Sequence, residues 1–563
     1  MSSIASLGRM TSGLRAAQTG LQVTGHNIAN VNTKGYTRQQ ALQNDSGYLT
    51  IGSNGGRLQQ VGLGVSVSEI RQIRDEFADK RYRSENSILN FYTAKQNATA
   101  EIETILDEPH GASISGMMED FWKQMQKLST NPSGVEERLA FIQTADVLIK
   151  RANQIMDGFN EYQYDVNTQV KDTVKNINSM LHQIKDLNDS ISVKEVNGDH
   201  ANDLRDQRNA LLDELSGLID IDYYEDKDGK VVVKTEGRNL IDGPFVIEMG
   251  LKTLNNGTGF VMPTWSDTGE EVYKFNSIVS STTGDDTGKL KGLLMARGNT
   301  VGGVNTSWDD IALNDKYSVD KVGNSYIIPK VQKQLNSLIH ELTTVVNDTL
   351  SGMGIGDHKG AEGIPVFVPK NTTDGTTLPT YPKLEDYKDD TAPGGRTALE
   401  KYEVAITKYK EDIKPHLVAG NIQVNPELMQ DGGYNKLGTV GSDPDNIGDN
   451  SIVTDLLDEW SKTREWPRDG GNLASAPHIK HSDFMDFYSE LVSEVGAEGS
   501  EYKGKIKEKG TLVTTVDNER MAMGAVSQDE ELSNMLKYQY AYNAAARMVN
   551  VLDGMMDTII NKM

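Results

Sequence analysis

Two stretches, one at each end of the chain, place apolar residues at alternating steps of three and four. Leu7, Met10, Leu14, Ala17, Leu21, Thr24, Ile28 and Val31 do so at the N-terminus. Met535, Tyr538, Tyr542, Ala545, Val549, Leu552, Met556 and Ile559 do so at the C-terminus. This is the a/d seam of a coiled coil, a stripe that needs a partner helix to be buried. It predicts helices over 3–29 and 527–562 that pack on each other, with Tyr540 off the seam and free to touch a neighbour. A two-helix seam has little apolar width, so these ends are expected to complete their folding within an assembly.

The longest periodic run lies between them. Ile142, Ala145, Ile149, Ala152, Met156, Phe159, Val166, Val170, Ile177, Met180, Ile184, Leu187 and Ile191 hold one seam, interrupted at Gln163 and Thr173. Such a helix is a rod of roughly 80–90 Å, longer than a globular core covers, so other long helices must lie beside it. Ser133 and Glu136 have capping-box spacing at its start, and Ser527 and Glu530 repeat that spacing before the last helix. Further helices are expected over 68–107, 113–130, 200–218, 329–351, 396–412, 482–498 and 511–524. Residues 30–36 break the first helix, and 36–67 reads as irregular with small hairpins. Short alternating pieces from 222 to 281 predict strands, whereas 353–480 is rich in Pro and Gly and has little periodicity.

The fold class is therefore multidomain α + β: a long α-helical coiled-coil and bundle rod formed by both terminal regions, with β-rich inserted middle domains. The expected divisions begin with a seam helix and extended segment (1–67) and a long-helix bundle (68–221). A β-rich insertion (222–328), a helix returning toward the rod (329–352) and a variable outer insertion facing solvent (353–481) follow. A helical return (482–526) and the C-terminal seam helix (527–563) complete the chain.

Length and charge narrow the function. At 563 residues the chain exceeds a single core, and a formal net charge of −24 with no Lys/Arg cluster excludes a phosphate-binding face, hence a nucleic-acid partner. There is no cysteine, which removes disulfides, thiolate nucleophiles and Cys-based zinc sites. The first twenty residues hold no apolar core of a secretory signal, and no run of about twenty apolar residues exists to span a membrane.

Candidate chemistry is sparse. Around Asp226-Lys-Asp228-Gly229 a calcium loop would need carboxylates where Tyr224 and Thr235 stand, so a hairpin turn is the reading. His478 and His481, with Asp483 nearby, lack a third ligand at fixed spacing and read as surface histidines. Gly352, Gly354 and Gly356 follow a helix, the wrong order for a dinucleotide loop. No catalytic, cofactor-binding or metal residue is assigned.

Two terminal strings carry a resemblance. Gly20-Leu-Gln-Val-Thr-Gly-His-Asn-Ile-Ala-Asn-Val-Asn-Thr-Lys-Gly-Tyr-Thr-Arg38, with Ser527-Gln-Asp-Glu-Glu-Leu and Met535-Leu-Lys-Tyr-Gln-Tyr-Ala-Tyr-Asn-Ala-Ala-Ala-Arg547, closely resembles the ends of bacterial flagellar rod, hook and hook-associated proteins. Gly288-Lys-Leu-Lys-Gly-Leu-Leu-Met-Ala-Arg297, Ile328-Pro-Lys-Val-Gln-Lys-Gln-Leu-Asn336 and Ile422-Gln-Val-Asn-Pro-Glu-Leu428 resemble the hook-associated branch that joins hook to filament. The resemblance implies a non-enzymatic structural subunit, exported unfolded by flagellar type III secretion without a cleaved signal peptide. It would lie outside the cell, in a helical ring of identical subunits, with hook protein below and a second junction protein above. A cytosolic export chaperone would hold the C-terminal helix beforehand. Leu7, Met10, Leu14, Leu21 and Ile28 would pack on Met535, Tyr538, Tyr542, Val549, Leu552, Met556 and Ile559 as the assembly seam. Asn30, Thr33, Gly35, Tyr36 and Arg38 would set the exit turn and reach neighbouring subunits. Competing readings are a hook or distal-rod subunit, an enzyme with paired carboxylates in 222–480, and a middle domain that also binds host surfaces.

Overall fold

The computed structural model describes residues 2–33, 35–54, 57–107, 113–196, 198–273, 287–311, 325–351, 363–372, 377–387, 398–440, 448–467 and 479–562. The N-terminal part comprises helix α1 (Ser2–Ala29) and strands β1 (Gln39–Asp45), β2 (Tyr48–Asn54), β3 (Arg57–Gly62) and β4 (Val65–Gln72). Helices α2 (Glu76–Leu106), α3 (Ile114–Thr130), α4 (Val135–Glu195) and α5 (Asn202–Leu218) follow. The middle holds strands β5 (Asp222–Glu225), β6 (Val231–Thr235), β7 (Arg238–Asp242), β8 (Phe245–Val246), β9 (Met249–Thr253) and β10 (Val261–Trp265). It continues with α6 (Lys289–Arg297), α7 (Trp308–Ile311), α8 (Ile327–Leu350), β11 (Phe367–Pro369), α9 (Ala398–Ile413) and β12 (Ile422–Val424). The chain ends with α10 (Ser451–Ser461), β13 (Arg464–Pro467), β14 (Ile479–Ser482), α11 (Phe484–Gly524) and α12 (Gln528–Lys562).

The rod is built on α4, whose 61 residues give it a length of about 90 Å. Its seam residues Ile142, Ala145, Ile149, Phe159, Val170, Ile177 and Ile184 are buried against α3, α5, α6 and α8, whereas Met180 and Leu187 are half-buried and the adjacent Leu181 and Asn188 turn inward instead. Neither capping box closes as its spacing suggests. Gly134 caps α4 without a side-chain bond, and Arg138 Nε donates to the Pro132 carbonyl (2.8 Å). Before α12 only half of the box forms: Ser527 Oγ accepts from Glu530 N–H (3.5 Å), while the Glu530 carboxylate pairs with Arg38.

Three other expectations change. The segment 36–67 forms one long hairpin instead of irregular chain: β1 pairs with β4 and β2 with β3, all antiparallel, bridged by Ser46 N–H to Gly64 O and Leu63 N–H to Gly47 O. The helix expected from 68 starts at Glu76, capped by Asp75, because 65–72 returns as a strand. The two helices expected over 482–498 and 511–524 are one, α11, of 41 residues. Gly499 lies close on α2, where a Cβ would stand 3.1 Å from Glu103 and 3.4 Å from Thr99.

Segment 353–481 was expected to stand apart as an outer domain, and its described parts return to the rod. Trp460 of α10 stacks on Trp122 at 6.2 Å and meets Phe121 and Phe484 at 5.6 and 5.1 Å. Buried aromatic area of this kind outweighs the local propensity that hid α10 in the sequence. Of the strand-like pieces near 245–275, β8 to β10 form, whereas Phe275 lies outside the described residues.

Helix α6 is buried on every side. Arg297 spans the interior there, donating from Nη1 to Asn167 Oδ1 and Val261 O at 2.6 Å each. Lys291 stacks on Tyr273, 4.6 Å from the ring centroid. Helix α8 ties to α11 through Lys330, 2.6 Å from both Glu494 and Glu498.

One device recurs along the helices. Asn188 donates to Val231 O (2.9 Å) and accepts from Val231 N–H (3.0 Å). Asn178 does the same with Met249, both bonds at 2.9 Å, and Asn347 with Phe367 at 2.7 and 2.9 Å. Asn153 holds Ile422 O and Gly420 N–H, both at 2.7 Å. A carboxamide carries one donor face and one acceptor face, as a peptide does, so a helix can complete a strand edge where no further strand exists. Gln163, one interruption of the α4 seam, is buried for a related reason: it donates to the Arg297 and Thr300 carbonyls. Asn347→Ala is expected to cost about 1–3 kcal/mol, because both polar groups of Phe367 lose their partner while buried. Asn347→Asp is expected to cost more, since it keeps the acceptor but buries a charge facing a carbonyl. Chemical denaturation of the two variants orders the effects; equal losses would contradict the two-sided bond.

Candidate functional site: the terminal seam and its clasp

Helices α1 and α12 pack along each other and run antiparallel, with Asn27 beside Glu531 and Gly20 beneath Tyr538. Met10, Leu14, Leu21 and Ile28 of α1 are half-buried, as are Met535, Tyr538, Tyr542, Val549, Leu552 and Met556 of α12. The side chains of Leu7 and Ile559 lie outside the described residues. The pair is thus docked within one chain. What it lacks is full burial.

Of the tightest part of the seam, the apolar spacing names only Ala17 and Thr24. Ala16, Ala17, Gly20, Val23, Thr24 and Asn27 are the buried residues of α1. They lie where α1 packs on α12 and on the hairpin β1–β4. Small residues let the three elements approach, and a Cβ on Gly20 would stand 2.6 Å from the Tyr538 ring. The signal was present as Ala16-Ala17 and Gly20 beside the apolar steps.

At its C-terminal end α1 runs into the turn 30–38. Asn30 closes the helix, its amide donating to His26 O (3.0 Å), and its carbonyl accepts from Thr33 N–H (2.9 Å). Gly35 has φ +82°, a left-handed conformation that suits glycine. Thr33 and Gly35 are exposed. Tyr36 folds back so that its hydroxyl donates to Asn27 Oδ1 (2.8 Å) and lies 2.9 Å from His26 Nδ1. Burial, reinforced by Asp203, Asp206 and Glu531, pushes the Tyr36 phenol well above its ordinary range, so it stays a donor.

Asn27 is the hub. Its oxygen also accepts from Gln39 N–H (3.0 Å), and its amide donates to Gln39 O (2.9 Å) and Glu531 Oε2 (3.2 Å). Arg38 then joins the chain ends: Nε reaches Glu531 at 2.8 Å, Nη1 reaches Glu530 at 3.0 Å, and its N–H donates to Gly524 O. Arg38 and Tyr36 are thus engaged inside their own chain.

The clasp is fixed to the rod at the start of α5. Asp206 accepts from Thr37 N–H (3.0 Å), Asp203 from Gln39 (3.0 Å), and Asn202 exchanges bonds with Gln72 and Ile70 O. Beside it, Arg520 of α11 bridges Asp79 (2.8 Å) and Asp213 (2.6 Å), and Arg83 reaches Asp213 at 2.7 Å. A cleft of about 780 Å³ separates turn from rod, lined by Thr37, Arg74, Asp79, Asp213 and Arg520 among others.

Burial lifts the Asp206 carboxyl to about 6, against the Thr37 hydrogen bonds and Arg74. A raised carboxyl pKa stabilises the fold fully below the unfolded value near 4, and that contribution is lost as pH rises through 6. Asp206→Asn keeps an acceptor for Thr37 without the charge. It is expected to gain stability over wild type at pH 7, by an amount on the order of 2 kcal/mol, and to lose that advantage at pH 4. A wild-type minus variant difference flat in pH would contradict the assignment.

The remaining candidates are structural. Asp226 accepts from the N–H groups of Asp228 and Lys230 at 2.9 Å each, and Gly229 has φ +75°, which makes a hairpin turn. His481 lies in β14 opposite Glu465, while His478 and the glycines at 352, 354 and 356 lie outside the described residues. Among the described residues no group of three or more His, Asp and Glu is placed to hold a metal, and no helix is long and apolar enough to cross a membrane.

Residues 99–367 match the family described as flagellar hook-associated protein FlgK helical domain. Residues 10–37 match that of the flagella basal body rod protein, and 521–562 that of the flagellar basal body rod FlgEFG protein C-terminal. Flagellar hook-associated protein 1 of Bacillus subtilis is 26% identical over 554 residues, covering 98% of this chain and 96% of that protein. The protein of the same name from Escherichia coli is 24% identical, with 98% of each chain covered. The solved structure of the flagellar hook junction protein FlgK from Burkholderia pseudomallei shares the fold. Its TM-score is 0.52 at 12% identity, covering 80% of this chain and all of that one.

Proposed function

Because this chain belongs to the flagellar hook-associated protein 1 family, a structural subunit of the bacterial flagellum at the hook–filament junction, we propose that it joins its neighbours there through the clasped pair α1 and α12. The observation that carries this reading is an uncovered stripe. Leu532, Leu536, Tyr540, Met548, Val551 and Met555 are 50 to 73% exposed on the side of α12 turned away from α1. A contiguous apolar stripe of this kind marks a contact surface. With the half-buried seam beneath it, the terminal unit gains most of its burial from identical subunits. Hook protein lies below the ring and a second junction protein above it.

Before assembly the same stripe needs cover. A cytosolic chaperone holding α12 supplies it, and a chain without cysteine passes an export channel with no crosslink to obstruct it. The subunit then functions in the extracellular appendage. Its role is mechanical: Asn27, Tyr36, Arg38 and Glu531 of the clasp spend their polar groups on one another and on Gln39.

Deletion of the gene tests the reading by electron microscopy of the cells. Hooks without filaments are expected. Full-length filaments would overturn it, and loss of the hook itself would reassign the chain to the hook or distal rod.

A further inference from the structure

The hairpin holds a second uncovered surface. Beyond the break at Gly47 and Leu63, β2 and β3 pair with each other and pack extensively on no other described element of the chain. A two-stranded ribbon alone is marginal in water. Asp45 opposes Val65 and Leu49 opposes Val61, with Leu63 bonded to Gly47 between them. Asp45, Leu49, Val61 and Leu63 therefore share one face of the pleat. Leu49 is 49% exposed and Leu63 41%.

We propose that this ribbon face seats the outer stripe of α12 from a second copy of the chain. Within one chain the two cannot meet, since α1 packs on both the hairpin and α12 and the stripe faces away from it. Leu532 to Met555 spans about 35 Å of helix, of which the ribbon, with strands of about 20–25 Å, covers the greater part. Charge agrees as well. Lys537 and Arg547 are exposed and flank Tyr540 and Met548 on α12, and Asp45 is exposed at the ribbon face. The acids of α12 lie toward its ends, with Glu530 and Glu531 held by Arg38 and Asp553 and Asp557 in the last turns. Glu69, on the neighbouring strand, is paired with His200.

Area and symmetry favour this occupant. A stripe about 35 Å long and about 10 Å wide is under half of the roughly 800 Å² per partner that a stable interface buries. Each copy must use a second surface. A stripe that paired with itself would close at a two-fold dimer, whereas stripe on ribbon leaves one free surface of each kind and propagates round a ring.

The inference rests on the junction reading, which places copies side by side. The natural chain lacks cysteine, so introduced pairs report without background. Full-length Leu63→Cys combined with Tyr540→Cys or Met548→Cys, produced in place of the wild type, is oxidised in isolated hooks and filaments. A ladder of linked copies is expected from a double variant and from neither single one. Dimers from Tyr540→Cys alone would overturn the inference in favour of self-pairing. A photocrosslinker at Leu63 that captures a chain of different mass would assign the ribbon to another protein and overturn it. Filaments that form normally with no ladder from either double variant would overturn the inference and leave the junction reading standing. Absence of the protein from hook ends would overturn the junction reading itself.

Discussion

Gly20→Val is expected to leave cells with hooks and no filaments while the rod folds as before. At this position even a single methyl group would stand 2.6 Å from the Tyr538 ring, and the branched side chain drives α1 off α12. Overpacking of this kind costs about 1–3 kcal/mol in a well-filled core. Here it falls on a pair whose seam residues are only half-buried, so the pair has little to lose before it parts. The rod makes no use of Gly20, and thermal unfolding of the purified variant should show an unchanged main transition. Tyr538→Ala in the same chain removes the obstructing ring and is expected to restore some filaments. Normal motility of the single variant would show that close contact of the two helices is not needed at the junction.

The second large effect lies in the rod. Gly292→Ala in α6 would bring a methyl group within 2.7 Å of the Phe91 carbonyl and 2.8 Å of the Ala94 side chain. One of these neighbours is backbone of α2, which cannot turn aside, so α6 and α2 must separate. A loss of about 3 kcal/mol in unfolding free energy is expected. Gly504→Ala in α11 serves as the contrast, because nothing stands within 4 Å of its added methyl. It is expected to be neutral or to stabilise by about 0.5–1 kcal/mol through helix propensity. Chemical denaturation of both variants decides the matter, and similar midpoints would refute the close crossing.

Much of the architecture was legible because a periodic stripe declares a helix whatever lies beside it. The α4 rod and the two terminal helices follow from spacing alone, as do most of the half-buried positions on α12. The direction of the terminal pair was not legible, since an a/d seam reads the same in either sense. Asn27 beside Glu531 settles it as antiparallel. Helix α10 escaped because its packing depends on Trp460 meeting residues over 300 positions away in the chain. The single helix α11 reads as two because its apolar periodicity fades between 498 and 511, and its packing along α2 joins the halves. The turn residues 30–38 stand out in the sequence as one contiguous string. Their partners Asp203, Asp206 and Glu531 carry no local pattern that connects them to it.

The asparagine bonds between helix and strand have an evolutionary consequence. On the helix side they demand one amino acid at one position; on the strand side they touch only main chain, which every residue except proline supplies alike. Lineages can therefore rewrite the attached middle segments, even exchange them wholesale, provided a few amides on the supporting scaffold stay put. Divergence among homologues should concentrate in those docked pieces while Asn153, Asn178, Asn188 and Asn347 persist.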